Sequence, residues 1–397
     1  MKVLHFVTNL FPPFAGGMEM WTLRLAQGLK SVGIKVIVYI TAAPDEFDYG
    51  DLTEVGGIEI RLMAETRRLW EEPLLASRWP ESRVGPERVR LEFLTLRNAV
   101  AKEMTLFPEG THLMASNFIT GPGVAAANVA ADLTLPHLAC VVGTDFSRGF
   151  RNPSERASMG MVVSQAAAVV TRSHEQAQGI THGFGARNVV MIHAAVDDRV
   201  FAYAWRPQRP ASGRVRLFSD NGYSHKKGTQ VLLDCFAALH DEGLPITLTI
   251  YGGTLPGQGS YWQKLREDFA TRYHDDIDLH GHADLQRLWE AMHASDIYCS
   301  PSLGEGCSLA RSAALCMGMP IVTTRCGEMP DVAANVSHVR MSPPGDRDGY
   351  LTQLRAACYE AMDQSIVVDP ARVQEWRAHF SPARELELWG QLLDRVT

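Results

Sequence analysis

The sequence predicts an α/β protein with two doubly wound, parallel-sheet domains. Short apolar runs of strand length alternate with segments whose apolar residues recur at helical spacing, a pattern typical of parallel sheets covered by helices. The series starts again after a segment rich in proline and arginine at residues 203–213. The chain has 397 residues, which suits two domains of about 150 residues each.

The first series opens with a strand at Lys2–Thr8. A helix is predicted over residues 18–32, because its large apolar side chains recur every four residues, and Gly33 provides its C-cap. A buried strand over residues 35–41 completes a β-α-β unit. The same pattern returns near residues 113–115, 123–131 and 137–142.

The second series contains the same kinds of element. Its predicted strands lie at residues 214–218, 246–251, 297–299 and 321–324, and its predicted helices at residues 229–240, 285–294 and 309–316. From this order we predict a first domain over residues 1–205, a second over residues 206–378 and a closing helical segment over residues 379–397. Because open α/β sheets bind ligands at the carboxyl ends of their strands, we expect the ligand between the domains.

The composition excludes several classes of protein. Hydrophobic residues make up 46% and charged residues 21% of the chain, and the net charge is −7, so we expect no broad nucleic-acid-binding surface. Seven scattered cysteines without CxxC spacing favour reduced thiols and a cytoplasmic location. No apolar run has the length of a membrane span. Residues 61–97 contain eight arginines, six glutamates and two tryptophans, which favours a solvated insertion over a peripheral membrane contact.

The most informative stretch is Pro301–Pro320, PSLGEGCSLARSAALCMGMP. A strand ends here, a carboxylate flanked by glycines follows, and a helix begins near Leu309. The backbone N–H groups of Cys307, Ser308 and Leu309 are expected at that helix start, where unpaired amides form a cradle for a phosphate. Glu305 precedes the cradle, so it suits sugar hydroxyls beside that phosphate. The alternative is a capped helix with an exposed glutamate.

This stretch resembles the donor-binding motif of the retaining GT-B glycosyltransferases of family 4, the glycosyl transferases group 1, with the pattern PSxxEGFGLxxLEAMAxGxPVV. Glu305, Gly306, Leu309, Ala314, Gly318 and Pro320 match it in register. The following TTRCGEMPDV is similar to that family's ATxxGGxPEV. The resemblance implies the GT-B fold, in which two Rossmann-like domains face a central cleft.

Further motifs extend the resemblance over nearly the whole chain. Residues 11–19, FPPFAGGME, resemble the PPxxGGxE loop, and residues 191–201 resemble VIPNGVDxxxF. Lys227-Gly228 matches the Lys-Gly pair of the second domain, and residues 250–253, 279–281 and 380–389 resemble its glycine turn, its FxG strand and its closing helix.

The resemblance implies roles for these residues. Glu305 is expected to bind sugar hydroxyls and Lys227 to meet the diphosphate and the charge that develops on the leaving nucleotide. Gly16 and Gly17 are expected to approach the donor phosphates, and Gly253 to lie in the strand-end turn beside the donor. An exposed lysine at a helix start is the alternative for Lys227.

Three departures from the family's pattern change these expectations. Asn221 and Gly222 stand where the family has an arginine, so only neutral hydrogen bonds are expected there. Ala313 replaces the glutamate that binds the ribose, a contact that Arg311, Ser312 or Glu328 could replace.

The third departure concerns the first domain, where Val142 stands in place of a frequent catalytic histidine. Asp145 then becomes the leading carboxylate, as a base or a group that orients the acceptor, with a turn-forming role as the equal alternative. Asn117 is a weaker candidate for facing the acceptor.

Metal, nicotinamide and P-loop chemistry are not expected. The two DxD strings, at residues 276–278 and 346–348, do not follow buried strands into glycine loops, and the GxGxxG and P-loop patterns are missing. The resemblance implies a retaining hexosyltransferase that uses a UDP- or GDP-sugar as substrate, and we expect it to be metal-independent and to need no cofactor. Its acceptor is a glycan, a lipid or a small metabolite. The alternatives are a catalytically degenerate GT-B partner or activator, a nucleotide-sugar epimerase and a pseudo-glycosyltransferase.

Overall fold

The computed structural model describes residues 1–13, 16–41, 52–63, 86–150, 152–206, 213–253 and 259–397. Most of the arginine-rich stretch, at residues 64–85, lies outside these ranges, and so does the prediction that it forms a solvated insertion. Within the described residues, the chain divides into two compact units. Met1–Ala194 and Pro382–Thr397 form the first, and Ala195–Ser381 form the second. The sequence pattern predicts the corresponding boundaries at residues 205 and 378.

The first unit contains an eight-stranded sheet. Its strands, in the spatial order β3-β4-β2-β1-β5-β6-β7-β8, are β1 (Lys2–Thr8), β2 (Lys35–Ile40), β3 (Glu54–Val55), β4 (Ile58–Leu62), β5 (Thr111–Asn117), β6 (His137–Cys140), β7 (Ala168–Thr171) and β8 (Val189–Met191). Every neighbouring pair is parallel except β3 and β4. The continuous apolar strands follow from this arrangement, since helices cover both faces of a parallel sheet.

In the described residues, six helices of the first unit lie between these strands: α1 (Gly17–Ser31), α2 (Pro86–Leu106), α3 (Pro122–Asp132), α4 (Thr144–Gly149), α5 (Pro153–Gln165) and α6 (His174–Phe184). The helix predicted over residues 18–32 is α1, and its buried face includes Trp21, Leu25 and Leu29. Gly33, with a φ of 86°, turns the chain at its end, where a left-handed residue favours glycine.

The second unit contains a six-stranded sheet in which every neighbouring pair is parallel. Its strands, in the spatial order β11-β10-β9-β12-β13-β14, are β9 (Val215–Ser219), β10 (Ile246–Ile250), β11 (Ile277–Leu279), β12 (Ile297–Ser300), β13 (Ile321–Thr324) and β14 (Val339–Ser342). Two buried clusters pack against this sheet, one of them around Phe236 and the other around Leu315.

A 3₁₀-helix at Asp198–Ala202 precedes this sheet. The α-helices of the second unit are α7 (Thr229–Asp241), α8 (Gly259–Arg272), α9 (Leu285–His293), α10 (Leu309–Met317), α11 (Met329–Ala333), α12 (Arg347–Met362) and α13 (Pro370–His379). The predicted fold class, two parallel-sheet α/β domains, is therefore confirmed.

The last helix, α14 (Pro382–Val396), belongs to the first unit. Its Trp389 is fully buried. The indole Nε1–H of Trp21 donates to Oε1 of Glu385 over 2.6 Å. Arg172 lies 3.6 Å from the same carboxylate and 3.9 Å from the ring centroid of Trp21. A buried charge needs such partners, so these three side chains fix α14 on the first unit.

Candidate functional site

The candidate site lies at the carboxyl edge of the six-stranded sheet. Strand β9 lies between β10 and β12, and β12 lies beside β13. The loops that follow β9, β12 and β13 therefore emerge side by side at the edge where open α/β sheets bind ligands. They supply residues 220–228, 301–308 and 325–328, which include the glutamate, the lysine and the helix start singled out by the sequence.

Backbone contacts join the first two of these loops. Gly228 has a φ of 69°, and a Cβ there would overlap the carbonyl oxygen of Pro301, so only glycine allows this approach. The backbone N–H of Leu303 donates to the carbonyl of Lys226 over 2.8 Å. This geometry explains why a glycine follows the lysine. Gly228 lets the loop at residues 220–228 approach the loop at residues 301–308 closely enough for Lys227 to reach it.

Lys227 and Glu305 form an ion pair across the two loops. Nζ of Lys227 donates to Oε1 of Glu305 over 2.7 Å, and the side chains are 33% and 9% exposed. Burial alone would raise the pKa of Glu305, but the charges of Lys227 and Arg311 outweigh it and lower that pKa to about 2. Burial alone would lower the pKa of Lys227, but the carboxylate of Glu305 outweighs burial and raises that pKa above its ordinary value. Both groups are therefore charged at neutral pH.

A second carboxylate, that of Asp220, lies beside Lys227, and the sequence pattern does not single it out. It directly follows β9, and its Oδ1 accepts a hydrogen bond of 2.6 Å from the hydroxyl of Tyr298 on β12. Burial raises the pKa of Asp220, although Tyr298 and Lys227 oppose this. The position of Asp220 in the sequence is the one feature that points to it, because a carboxylate immediately after a buried strand lies at the ligand-binding edge of the sheet.

Arg311 and Glu328, proposed from the sequence as ribose contacts, bind each other instead. Nε and Nη2 of Arg311 donate to the two oxygens of Glu328 over 3.1 and 2.9 Å. Both side chains are 0% exposed. Ser312 is also fully buried. In this arrangement none of the three presents a polar atom to a ribose at the surface, which corrects that expectation.

The start of α10 is already partly satisfied. Ser308 is the N-cap, and its hydroxyl accepts from the backbone N–H of Arg311 over 3.4 Å. Its own backbone N–H donates to Oε2 of Glu328 over 3.1 Å. The open cradle predicted for Cys307, Ser308 and Leu309 is thus wrong for the Ser308 amide, because a carboxylate of the chain occupies it.

Asn221, Gly222 and Gly253 shape the turn rather than supply charge. Nδ2 of Asn221 is 3.5 Å from the carbonyl oxygen of Lys227, and Ser300 donates to its Oδ1 over 3.4 Å. Gly222 has a φ of 62°, and a Cβ there would lie 2.7 Å from the carbonyl oxygen of Gly253. An arginine at position 222 would therefore require a backbone change, which gives a physical reason for the departure from the family's pattern.

In the first unit, Asp145 binds the backbone. Its carboxylate is 2% exposed and accepts from the N–H groups of Gly143, Ile119 and Val142 over 2.8, 3.0 and 3.2 Å. Burial raises its pKa, although these hydrogen bonds oppose the rise. This geometry is that of the turn-forming alternative and gives no support to a base that reaches an acceptor.

The other first-unit candidates lie near the start of α1 and the end of β5. A Cβ at Gly16 would overlap the carboxylate of Glu19, which reaches back over the helix start, and Gly17 is the first residue of α1. Asn117 is fully buried, and its Nδ2 donates to the hydroxyl of Thr22 over 2.8 Å. In this arrangement Asn117 holds α1 against the sheet.

The DxD strings have structural partners. Asp276 pairs with Arg214 and with His240, and Asp346 caps α12 by accepting from the N–H of Gly349 over 2.8 Å. Across the described ranges, no three His, Cys, Asp or Glu side chains are grouped as a metal site would need. No described helix is both long enough and apolar enough to cross a membrane.

Comparison with known proteins gives the site its context. Residues 214–358, which include all three loops, match the family described as Glycosyl transferases group 1. Sucrose-phosphate synthase from Thermosynechococcus elongatus is 14% identical, with a TM-score of 0.75 over 100% of this chain and 99% of that one. HepE from Anabaena, in complex with UDP and glucose, is 17% identical, with a TM-score of 0.72 over 99% of both chains.

The catalytic domain of starch synthase IV from Arabidopsis thaliana, bound to ADP and acarbose, is 13% identical. Its TM-score is 0.68 over 100% of this chain and 99% of that one. No curated protein matches the sequence. The similarity to the three solved structures confirms the predicted GT-B fold.

Proposed function

We propose that this protein transfers a hexose-type sugar from a UDP- or GDP-sugar to an acceptor, because residues 214–358 match the family described as Glycosyl transferases group 1. The acceptor is a glycan, a lipid or a small metabolite. The transfer retains the anomeric configuration and needs no metal ion. The proposal keeps the expectation of a cytoplasmic location, which rests on the scattered cysteines.

The ion pair between Lys227 and Glu305 carries the proposal. When a nucleoside diphosphate leaves the sugar, negative charge grows on the phosphate oxygens, and a preorganised cation stabilises the transition state more than the ground state. Lys227 is one-third exposed and charged, so it can meet that phosphate. Glu305 is an acceptor for sugar hydroxyls, and charge-assisted hydrogen bonds are about twice as strong as neutral ones.

The solved structures suggest which donor to test first. HepE has been captured with UDP and glucose and with UDP-glucose, whereas starch synthase IV has been captured with ADP. We therefore place UDP-glucose first among the candidate donors of this chain, ahead of GDP- and ADP-sugars.

A second candidate function, a GT-B partner protein without catalysis, follows from the charges of the site. Lys227 is paired with Glu305 and Arg311 with Glu328, and no arginine stands at positions 221 and 222. A diphosphate would therefore have to compete with Glu305 for Lys227. A partner protein that only binds a nucleotide-sugar and regulates another transferase does not have to stabilise a leaving diphosphate. Such a protein would tolerate a site that offers less positive charge.

Calorimetric titration with UDP-glucose, GDP-mannose and ADP-glucose, followed by assays of hydrolysis and transfer, tests both candidates. We expect one donor to bind and to lose its sugar, with an α-configured product from an α-linked donor. Binding without turnover would favour the partner function. If none of the three donors binds to a folded protein, both candidates are contradicted.

A further inference from the structure

The buried pair of Arg311 and Glu328 has no place in the chemistry proposed above. We propose that these two side chains are positioning residues for Glu305. The guanidinium of Arg311 and the backbone N–H of Ser308 form an internal anion site, and the carboxylate of Glu328 fills it. Filling this site holds the loop that carries Glu305. The role of that loop rests on the proposed function, whereas the internal anion site stands on geometry alone.

In the internal anion site, the carboxylate of Glu328 accepts two hydrogen bonds from the guanidinium of Arg311 and one from a backbone amide. Oε1 of Glu328 accepts from Nε of Arg311 over 3.1 Å, and Oε2 accepts from Nη2 of Arg311 over 2.9 Å and from the amide of Ser308 over 3.1 Å. A bidentate contact of this kind fixes orientation as well as distance. The carboxylate also lies at the positive end of α10, where negative charge is favoured.

The turn that carries Glu328 packs directly on the loop that carries Glu305. Gly327 has a φ of 64°, and a Cβ there would lie 3.0 Å from Cβ of Glu305 and 3.1 Å from the carbonyl oxygen of Gly306. The guanidinium of Arg311 touches the same place, because its Nη2 would be 2.9 Å from that Cβ. Movement of Glu328 would therefore displace the backbone against which Glu305 rests.

The remaining donor groups of Arg311 tie the pair to the neighbouring strands. Nη1 donates to the hydroxyl of Thr323 over 3.4 Å and to Sγ of Cys326 over 3.5 Å. The hydroxyl of Thr324 donates to the carbonyl of Ser302 over 2.5 Å. These contacts link the ends of β12 and β13, so the internal anion site and the Glu305 loop form one unit.

Energetics favour a positioning role over a purely stabilising one. Burying two charges costs several kcal/mol per ion before their attraction is counted, and apolar residues of similar volume are often as stabilising. A buried ion pair is therefore weak evidence for stability. The best-supported role of such pairs is to fix how two segments of a protein align with each other. Glu328 is also a departure from the pattern of the family, which has a glycine at that position, whereas the pattern leaves position 311 open.

The Ser308 amide is not open to the phosphates of a donor. Since Glu328 occupies the Ser308 amide and is 0% exposed, a phosphate that enters the site meets Lys227 rather than that amide. The internal anion site replaces an external phosphate with a carboxylate of the chain.

The chain contains its own reporter for this inference. Cys307 lies between Glu305 and Ser308 and is half-buried, while the other six cysteines are buried. The rate at which iodoacetamide alkylates Cys307 therefore reports how firmly the loop is held.

The experiment removes the carboxylate and supplies a small one. In Glu328→Ala we expect alkylation of Cys307 to be at least about tenfold faster than in the wild type, because an unpaired buried charge loosens its surroundings. Sodium formate, compared with sodium chloride at equal ionic strength, should slow it again by entering the vacated site. The double variant Glu328→Ala/Arg311→Met is the matched control, and formate should have no effect on it.

A second measurement separates positioning from general stability. In Glu328→Ala the affinity for UDP-glucose should fall more than the affinity for UDP, because only the sugar is expected to contact Glu305, and formate should reduce that difference. Equal losses for both ligands would overturn the positioning role. If the wild type binds a GDP-sugar instead, the same comparison is made with that donor and GDP. If it binds none of the three donors, the proposed function fails, and the positioning of the loop is then decided by Cys307 alone.

An unchanged alkylation rate in folded Glu328→Ala, or a rate that formate leaves unaltered, overturns the inference. If this variant does not fold, Glu328→Gln decides the matter, since it keeps the shape and removes the charge. Faster alkylation that is insensitive to formate is then expected, and a wild-type rate would contradict the proposal.

Discussion

At the scale of single residues, Lys227 and Glu305 neutralise each other across two loops. Their contact of 2.7 Å holds the lysine at the carboxyl edge of the sheet while no anion competes for it. Such a pair favours the binding of a ligand that offers a new partner to both groups at once. A sugar diphosphate meets that condition, because its phosphate suits the ammonium and its hydroxyls suit the carboxylate.

The substitution Lys227→Ala tests the cationic role. We expect turnover to fall by ~10²–10³, the loss typical of removing one group that stabilises transition-state charge. The measurement is kcat for sugar release from the donor that binds. Lys264→Ala, in which an exposed lysine of α8 is removed, should leave kcat unchanged. Wild-type turnover in a folded Lys227→Ala protein would make this lysine a bystander.

The low pKa of Glu305 predicts how stability depends on pH. Its folded-state pKa of about 2 lies below its ordinary value of 4.5, so the charged group stabilises the fold above pH 4.5. That contribution disappears as the pH falls from 4.5 towards 2. We therefore expect the free energy of unfolding of Glu305→Gln, measured in urea, to lie below that of the wild type at pH 7. The difference should shrink steadily over that acidic range, and a constant difference would contradict the ion pair.

Position 313 tests whether the ribose site of the family survives. Ala313 is 4% exposed and lies in the hydrophobic cluster around Leu315, so Ala313→Glu would bury a carboxylate without a partner. We expect the free energy of unfolding to fall by about 3–5 kcal/mol. Ala378→Glu, at an exposed position of α13, is the control. A stable Ala313→Glu protein with tighter donor binding would restore the ribose site.

At the scale of elements, the position of α14 depends on a few polar contacts under an apolar face. Glu385→Ala would remove the acceptor of Trp21 and the counter-charge of Arg172, both of which are buried. We expect a loss of about 3–5 kcal/mol, since one partner of a buried pair is left alone. Glu387→Ala, which breaks an exposed pair on the same helix, should cost less than about 1 kcal/mol. Equal effects in thermal unfolding would show that α14 is held by its apolar face alone.

At the scale of the whole molecule, the metal-independent proposal can be tested without any variant. If cationic side chains and helix dipoles supply the positive charge, turnover should persist after dialysis against EDTA. Complete loss that manganese restores would contradict this, and it would return attention to the DxD strings at residues 276–278 and 346–348. The control is the same dialysis with added EDTA–magnesium complex, which detects damage by the chelator itself.

Part of the candidate site could be predicted from local pattern. The glycine turn at Lys227-Gly228 and the strand-to-helix stretch from Pro301 both place their functional residues after a strand, and the carboxyl ends of parallel strands share an edge. The approach of Lys227 to Glu305 follows from this shared edge. Asp220 obeys the same rule, but a single carboxylate after one of many strands carries no distinguishing signal in the sequence.

Local sequence pattern alone sets the alternation of strands and helices, the restart of that series in a second domain, and the motifs that lie at strand ends. These depend on apolar periodicity and on glycine, which act over a few neighbouring residues. The partners of the charged side chains, in contrast, depend on how the elements pack in three dimensions. The tertiary structure pairs Glu328 with Arg311 and the Ser308 amide, turns Asp145 towards backbone N–H groups and buries Ala313. The physical reason is that a carboxylate binds the nearest donor in space, and the spacing along a chain does not reveal which donor that is.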